Sequence, residues 1–323
     1  MGDLNYVYAV GRIRVKEKSL LSDSDIGQMI GLKDEAAVIS YLQDKGWGSQ
    51  DSGKDPDRIL SAEEAKAWGL MVELGIAPSV FEVLSYPHLY HNLKAGIKEI
   101  CTGGGGSRAF YKDEKYGRDE MLRILKEKDY DALPEHMRAA AKKAYGIMLE
   151  TKDGQLCDVA VDRACLDAME HVSRTTKHEI IRDYEESTVA VTDIKIAVRG
   201  AATGKSQNFL KEALAPCRSF DVGALALSAA GGPEVLRDFL STHEFPEAAE
   251  ALRTSPSAFE RWCDNRVIET IRPQKTNPFS LGPVVAYYLA RENEIKTVRI
   301  ILTAKANGFT EEAIRERTRE MYV

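Results

Sequence analysis

Apolar residues recur along most of this chain at intervals of three and four, the period of a helix with one face on a core. Ala65, Trp68, Met71, Val72 and Ile76 keep that interval, and Gly75 with Pro78 supplies a stop. Ahead of them, Ser61-Ala62-Glu63-Glu64 fits a capping box, with the Ser61 hydroxyl taking a free backbone N–H and Glu64 reaching back, so a helix start is predicted there. Met137, Ala140, Ala141, Ala144, Tyr145 and Met148 form a second stripe behind Pro134, which suits a first helical turn. Leu166, Met169, Val172, Ser173 and Ile180 continue it. Near the end, Val284, Val285, Tyr288 and Leu289 lead into Ile295, Val298, Ile301 and Leu302, stopping at Asn307-Gly308, and Thr310 can cap a last short helix. Only 188–198 reads locally as strand, through the β-branched Val189, Val191, Ile194, Ile196 and Val198. Hairpin dipeptides flanked by alternating segments are otherwise missing, and the predicted fold class is all-α.

One long internal repeat organises these helices. Asn92-Leu93-Lys94, Asp193-Ile194-Lys195 and Glu294-Ile295-Lys296 share a polar–aliphatic–lysine pattern, each copy 101 residues after the last. A basic residue follows in every copy (Lys98, Arg199, Arg299), and a glycine comes later (Gly103, Gly204, Gly308). Asp25-Ile26-Gly27, Asp119-Glu120-Met121 and Asp221-Val222-Gly223 give a second echo, each opening a helical stretch. Units of about a hundred residues are far longer than solenoid repeats. They predict three similar helical-bundle domains around a pseudo-threefold axis, divided as 1–108, 109–212 and 213–323, with the glycine run Gly103–Ser107 as a candidate boundary. The repeat also overrides the strand reading of 188–198, because the matching segments of the other two copies have helical spacing. On this axis Lys94, Lys195 and Lys296, with Lys98, Arg199 and Arg299, occupy equivalent points; they are read either as ion pairs inside the domains or as contacts to a partner.

Composition narrows the function. The 323 residues carry a net charge of −6 with both signs interleaved, which argues against a basic face for nucleic acid. No apolar run approaches the roughly 20 residues of a bilayer span, and Met1–Tyr6 has no features of a secretory signal. A cytoplasmic location is expected. Five separated cysteines (Cys101, Cys157, Cys165, Cys217, Cys263) without a C-x-x-C pair read as reduced, mostly structural thiols.

The chemistry that the motifs suggest stops short of a site. Arg199 to Ser206 ends in Gly-Lys-Ser like a P-loop, yet Arg199 stands where the first glycine is required and Gly200 comes one residue late. Gly204 and Lys205 are therefore read as a helix end with a solvated lysine. His88 and His91 have metal-like spacing but no third or fourth ligand that the sequence singles out, and Pro87 is expected to put His88 in a loop. His171 and His178 lie in ordinary charged helix, and no nucleophile motif occurs. No catalytic, cofactor-binding or metal-binding residue is assigned, and no cofactor is expected.

Two stretches carry a resemblance. Asn277-Pro278-Phe279-Ser280-Leu281-Gly282-Pro283 and the helix behind it, together with Ile314-Arg315-Glu316-Arg317 and the final Tyr322-Val323, resemble the C-terminal block of the V-type ATPase C subunits, relatives of the eukaryotic vacuolar ATPase d subunit. Tyr8-Ala9-Val10-Gly11-Arg12-Ile13-Arg14, Leu20-Leu21 and His91-Asn92-Leu93-Lys94 resemble that family's opening and first Asn-Leu-Lys element, with Gly11 where alanine is usual. The resemblance implies three helical domains forming a funnel and a non-catalytic socket in the central stalk of a rotary motor. It implies rotor-stalk subunits and the membrane proteolipid ring as partners, coupling to proton or sodium transport, and a place at the cytoplasmic membrane held through the complex. A free helical-repeat scaffold unrelated to ion transport is the alternative, and a helical enzyme of undefined chemistry a further one.

Overall fold

The computed structural model describes residues 6–104, 106, 110–111, 115–243 and 245–323, and among them the chain is helical with no strand. The all-α class stands. The helices are α1 (Val7–Lys16), α2 (Asp23–Gly31), α3 (Glu35–Asp44), α4 (Pro56–Glu73) and α5 (Pro78–Thr102), then α6 (Arg118–Glu127), α7 (Glu135–Thr151), α8 (Gly154–Thr175), α9 (Glu179–Ala202) and α10 (Gln207–Ala213). They continue as α11 (Val222–Ala230), α12 (Pro233–Thr242), α13 (Pro246–Thr254), α14 (Pro256–Ile271), α15 (Gly282–Ala306) and α16 (Glu311–Arg317).

Side-chain caps fix many of the starts by taking N–H groups that the first turn leaves free. Ser22 and Asp25 form a reciprocal capping box on α2, Asp34 caps α3, Asp153 caps α8, and Ser255 and Thr310 cap α14 and α16. Three local expectations are corrected. The helix predicted from Ser61 starts earlier, because Asp55 Oδ1 accepts the N–H groups of Asp57 and Arg58 and Pro56 sits in the first turn, leaving Ser61 and Glu64 inside α4. Pro134 is the extended residue before α7 rather than part of its first turn. Pro87 lies inside α5, so His88 is helical. Residues 188–198 are helical as the repeat demands, with Val189, Ile194 and Ala197 fully buried; tertiary burial outweighs the β-branched propensity.

The chain forms two compact units, each discontinuous in sequence. The first comprises Met1–Pro78, Lys177–Ser187 and Leu240–Val323; the second comprises Ser79–Thr176 and Thr188–Phe239. Of the boundaries expected for 1–108, 109–212 and 213–323, residues 108 and 109 lie outside the described residues and 212 falls within α10. Gly105, Ser107 and Met1–Asn5 also lie outside the described residues.

Packing explains why the first unit joins both ends of the chain. Helix α15 is its spine, buried on nearly every side and packed by α1, α3, α4 and α14. Leu21, Ile26, Met29, Val38, Leu42, Ile59 and Leu60 from the N-terminal segment share one core with Ile295, Val298, Ile301, Leu302 and Ile314. Asp23 Oδ1 accepts the Met321 N–H, Lys305 Nζ donates to the Ile30 and Leu32 carbonyls at the end of α2, and Arg14 donates to the carbonyls of Gln274 and Asn277.

The second unit pairs α7 with α8 and packs α10 against α8 and α11. Its long helices approach their neighbours through glycine. A Cβ at position 96 would lie 2.8 Å from Leu125 Cδ1, and one at position 200 would lie 2.5 Å from Leu210 Cδ2. Helix propensity alone favours Gly200→Ala by about 1 kcal/mol. Overpacking against Leu210 outweighs that gain, so the variant is expected to lose about 1–2 kcal/mol in chemical denaturation; a stabilised variant would refute the close approach.

Candidate functional site

The repeated elements lie on the three longest helices, α5, α9 and α15, of 25, 24 and 25 residues. The first residue of each element is buried: Asn92 and Asp193 are 0 % exposed and Glu294 is 2 % exposed. Each binds backbone. Asn92 Oδ1 accepts the Tyr111 N–H at 2.8 Å while its Nδ2 donates to the carbonyls of Tyr111 and Tyr116. The Ala215 N–H donates to both carboxylate oxygens of Asp193 at 3.1 and 3.2 Å. The Leu21 N–H donates to Glu294 Oε1 at 2.6 Å. The bound segments precede α6, α11 and α2, whose openings carry Asp119, Asp221 and Asp25. The two echoes in the sequence are thus physically linked: a buried polar group on each long helix holds the backbone that leads into an aspartate-opened helix.

The environment of these groups shifts their protonation. Burial pushes the Asp193 carboxyl up to about 8, against the pull of the Ala215 N–H and Arg163. Burial also pushes Glu294 up to about 8, opposed by Arg291 and the Leu21 N–H, and Glu292 up to about 7. Around Glu294 lies a network that the sequence did not signal. Arg291, 5 % exposed, forks between Glu294 and Glu63 and stacks 4.8 Å from the Trp47 ring centroid. Glu63 in turn accepts the Gly48 N–H at 2.8 Å and Lys66 at 2.6 Å.

The cations of the elements face neighbouring helices. Lys94 pairs with Asp162 at 2.5 Å and Lys98 with Asp158 at 2.7 Å, both on α8. Lys296 pairs with Asp264 on α14 at 2.5 Å, and Arg299 reaches Asp57 and Glu64 on α4 at 3.3 and 3.2 Å. Lys195 is half-buried on α9 and Arg199 exposed. The ion-pair reading holds for Lys94, Lys98, Lys296 and Arg299, and pairs open to solvent contribute little to stability.

The near-motifs resolve into structural roles. Gly204 ends α9 with positive φ of 65°, Lys205 Nζ donates to Gln155 Oε1 at 2.7 Å and lies over the Phe209 ring, and Ser206 caps α10. Gly200 is where the Leu210 side chain closes on α9, as above. His88 stacks on Tyr111 at 3.9 Å between ring centroids and His91 meets the same ring edge-on at 5.0 Å. His178 contacts Tyr6 edge-on. Among the described residues no group of three or more His, Cys, Asp or Glu is gathered as for a metal. Cys157, Cys165 and Cys263 are buried, and burial pushes the Cys157 and Cys165 thiols up to about 11 and 12. Among the described residues no helix is long and apolar enough to cross a membrane.

Comparison with known proteins matches the whole helical frame. The family described as ATP synthase (C/AC39) subunit matches residues 9–317. The chain belongs to that family. Within the C/AC39 family it is 22 % identical to the C subunit of the V-type sodium ATPase of Enterococcus hirae, over 96 % of this chain and 97 % of the relative. It is 23 % identical to the C subunit of the A-type ATP synthase of Methanocaldococcus jannaschii, over 96 % of this chain and 85 % of the relative. The corresponding A-type ATP synthase protein of Haloquadratum walsbyi, also a C subunit, is 31 % identical over 97 % of each chain. C/AC39 membership agrees with the resemblance carried by the two ends of the sequence, and the match extends through the middle where residue-level likeness is weak.

Proposed function

We propose that this chain is the non-catalytic central-stalk socket of a rotary V-type ATPase. In this reading three repeated helical domains form a pseudo-threefold funnel. One face receives the rotor-stalk subunits, the opposite face sits on the membrane proteolipid ring, and torque passes between them to couple ATP turnover to proton or sodium transport. The chain is held at the cytoplasmic side of the membrane through the complex and handles no nucleic acid.

The observation that carries this reading is the end-to-end match to the C subunits of V-type and A-type rotary ATPases. The repeat of buried polar ties supports the threefold part of it. Asn92 holds the segment before α6, Asp193 the segment before α11, and Glu294 the segment before α2, so in chain order the third copy returns to the first. Closing the series in that way makes the N-terminal segment the completion of the last repeat.

The test is a pull-down of stalk subunits with the ring from membranes carrying the complex, with and without this chain. Stalk and ring are expected to separate when the chain is absent. Binding in its presence should weaken at high salt but persist, since a torque-bearing joint combines apolar anchors with a charged rim. A stalk that still holds the ring equally well without the chain refutes the socket.

A further inference from the structure

The C-terminal end of α15, in the first unit, carries a groove. Ile300, Thr303, Ala304 and Asn307 recur at the three-and-four interval that puts them on one side of that helix, and Phe309, just past its end, lines the same space. Arg299 and Arg317 complete the lining. The space measures about 360 Å³, at the small end of the roughly 300–1,000 Å³ typical of ligand sites. The helix stop explains how Phe309 comes to be there. Gly308 turns with a positive φ of 68°, and the Phe309 N–H reaches back to the Ala304 carbonyl at 3.0 Å, as in a Schellman end. An apolar residue at this place commonly packs onto the last turn, yet Phe309 stays 46 % exposed. The other two long helices are also followed by glycines of positive φ, Gly103 at 66° and Gly204 at 65°, but the next residues are Gly104 and Lys205. An aromatic side chain follows the stop only in the third copy.

Charge says what fits this groove. Its lining holds two guanidinium groups and no carboxylate. Arg299 is shared by Asp57 and Glu64 at 3.3 and 3.2 Å. Arg317 is half-buried, lies 5.3 Å from the Phe309 ring centroid and donates from Nη1 to the Ala313 carbonyl. Its Nε and Nη2 have no partner among the described residues. The end of α15 does not call on them, since the Thr303 carbonyl takes both the backbone N–H and the side chain of Asn307, and the Lys305 carbonyl takes the Gly308 N–H. On α16, Glu311 is engaged by Arg315 and Glu316 by Ser255. A guanidinium with open donors beside apolar side chains and an exposed ring complements a carboxylate set next to a bulky apolar residue. The single occurrence of the groove narrows the occupant. A ring of identical subunits presents the same segment many times over, whereas a site carried by one repeat of three suits a partner met once, the rotor stalk. Resting on the proposed function, we infer that the groove between the end of α15 and α16 binds a segment of the rotor stalk that carries an aspartate or glutamate within one helical turn of a bulky apolar residue.

The experiment measures the affinity of the full chain for purified rotor-stalk subunits and, separately, for the proteolipid ring in detergent. Phe309→Ala removes the aromatic ring and Arg317→Gln the charge. Thr303→Trp fills the groove from an exposed position, so its melting temperature should equal that of the parent. Each variant is expected to lose about tenfold or more for the stalk and nothing for the ring, with Arg317→Lys between Arg317→Gln and the parent. Added salt should weaken stalk binding by the parent more than by Arg317→Gln. Replacing Phe309 with a benzophenone-bearing phenylalanine should cross-link a stalk peptide of the stated chemistry, and changing that peptide's carboxylate to arginine should restore binding to Arg317→Glu. Unchanged stalk affinity overturns the inference while leaving the socket standing. So does a loss confined to the ring, a cross-link to lipid or to a second copy of this chain, or a cross-linked stalk peptide without a carboxylate. A parent chain that binds neither stalk nor ring fails the proposed function itself, and the inference with it.

Discussion

Arg291→Met is expected to cost the protein about 3–5 kcal/mol, the usual penalty for removing one partner from a buried charged network. Arg291 serves two carboxylates at once. Without it, Glu63 and Glu294, 3 % and 2 % exposed, face each other with only backbone N–H groups and Lys66 to compensate them. Methionine fills much of the space over Trp47, so the loss reports charge more than cavity. Arg291→Lys retains the charge but cannot fork, and should fall between the two. The loss in Arg291→Met should shrink as pH is lowered, because Glu294, whose carboxyl burial pushes up, then holds a proton and no longer buries charge. Chemical denaturation at pH 5 and pH 8 checks both parts. A loss below about 1 kcal/mol at both would show that the network is dispensable to the fold.

That network was invisible in the sequence for a definite reason. Glu63 and Arg291 are 228 residues apart, and nothing in local periodicity distinguishes a charge on a solvated face from one buried against a distant partner. Around Ser61 the local signal even pointed the wrong way, since the capping pattern singled out Glu64 while the adjacent Glu63 carries the buried contacts. The joining of both chain ends in one core was equally out of reach, because Leu21 and Ile301 belong to segments whose apolar stripes are each unremarkable alone. What periodicity and caps could reach was the helical class, the helix ends at Asn307-Gly308 and Thr310, and the equivalence of Asn92, Asp193 and Glu294. The repeat succeeded where local propensity failed: it put Val189 to Val198 into a helix against their β-branched character. The lysines of the repeat were legible in position but not in partner. Asp158, Asp162 and Asp264 come from other helices, and only folding brings them to Lys98, Lys94 and Lys296.

Asp193→Asn should leave the fold intact and flatten the pH dependence of its stability. In the folded chain the carboxyl is pushed up to about 8 by burial, with Ala215 N–H and Arg163 pulling it down and Asp167 adding to the rise. Arg163 relieves it only in part, because the guanidinium is also held by Asp167 and by the Leu214 carbonyl. An unfolded aspartate titrates near 4, as usual for this side chain. Below about 4 both states hold the proton and the shift has no effect on stability. Between about 4 and 8 the unfolded chain has released its proton and the folded chain has not, so stability falls as pH rises. One such group contributes a slope of up to about 1.4 kcal/mol per pH unit in that window. Asparagine removes that share, while Glu294 and Glu292, also raised by burial, keep theirs. The first repeat already shows that an amide serves at this position, since Asn92 accepts one N–H and donates to two carbonyls. Asp193→Ala is different: it strands the Ala215 N–H and should lose about 1–3 kcal/mol. The checks are denaturation curves from pH 5 to pH 8 for the three proteins and the exchange rate of the Ala215 amide. Parallel curves for parent and Asp193→Asn would mean that Asp193 is ionised in its buried site throughout, and faster exchange confined to Asp193→Ala would locate the tie at Ala215.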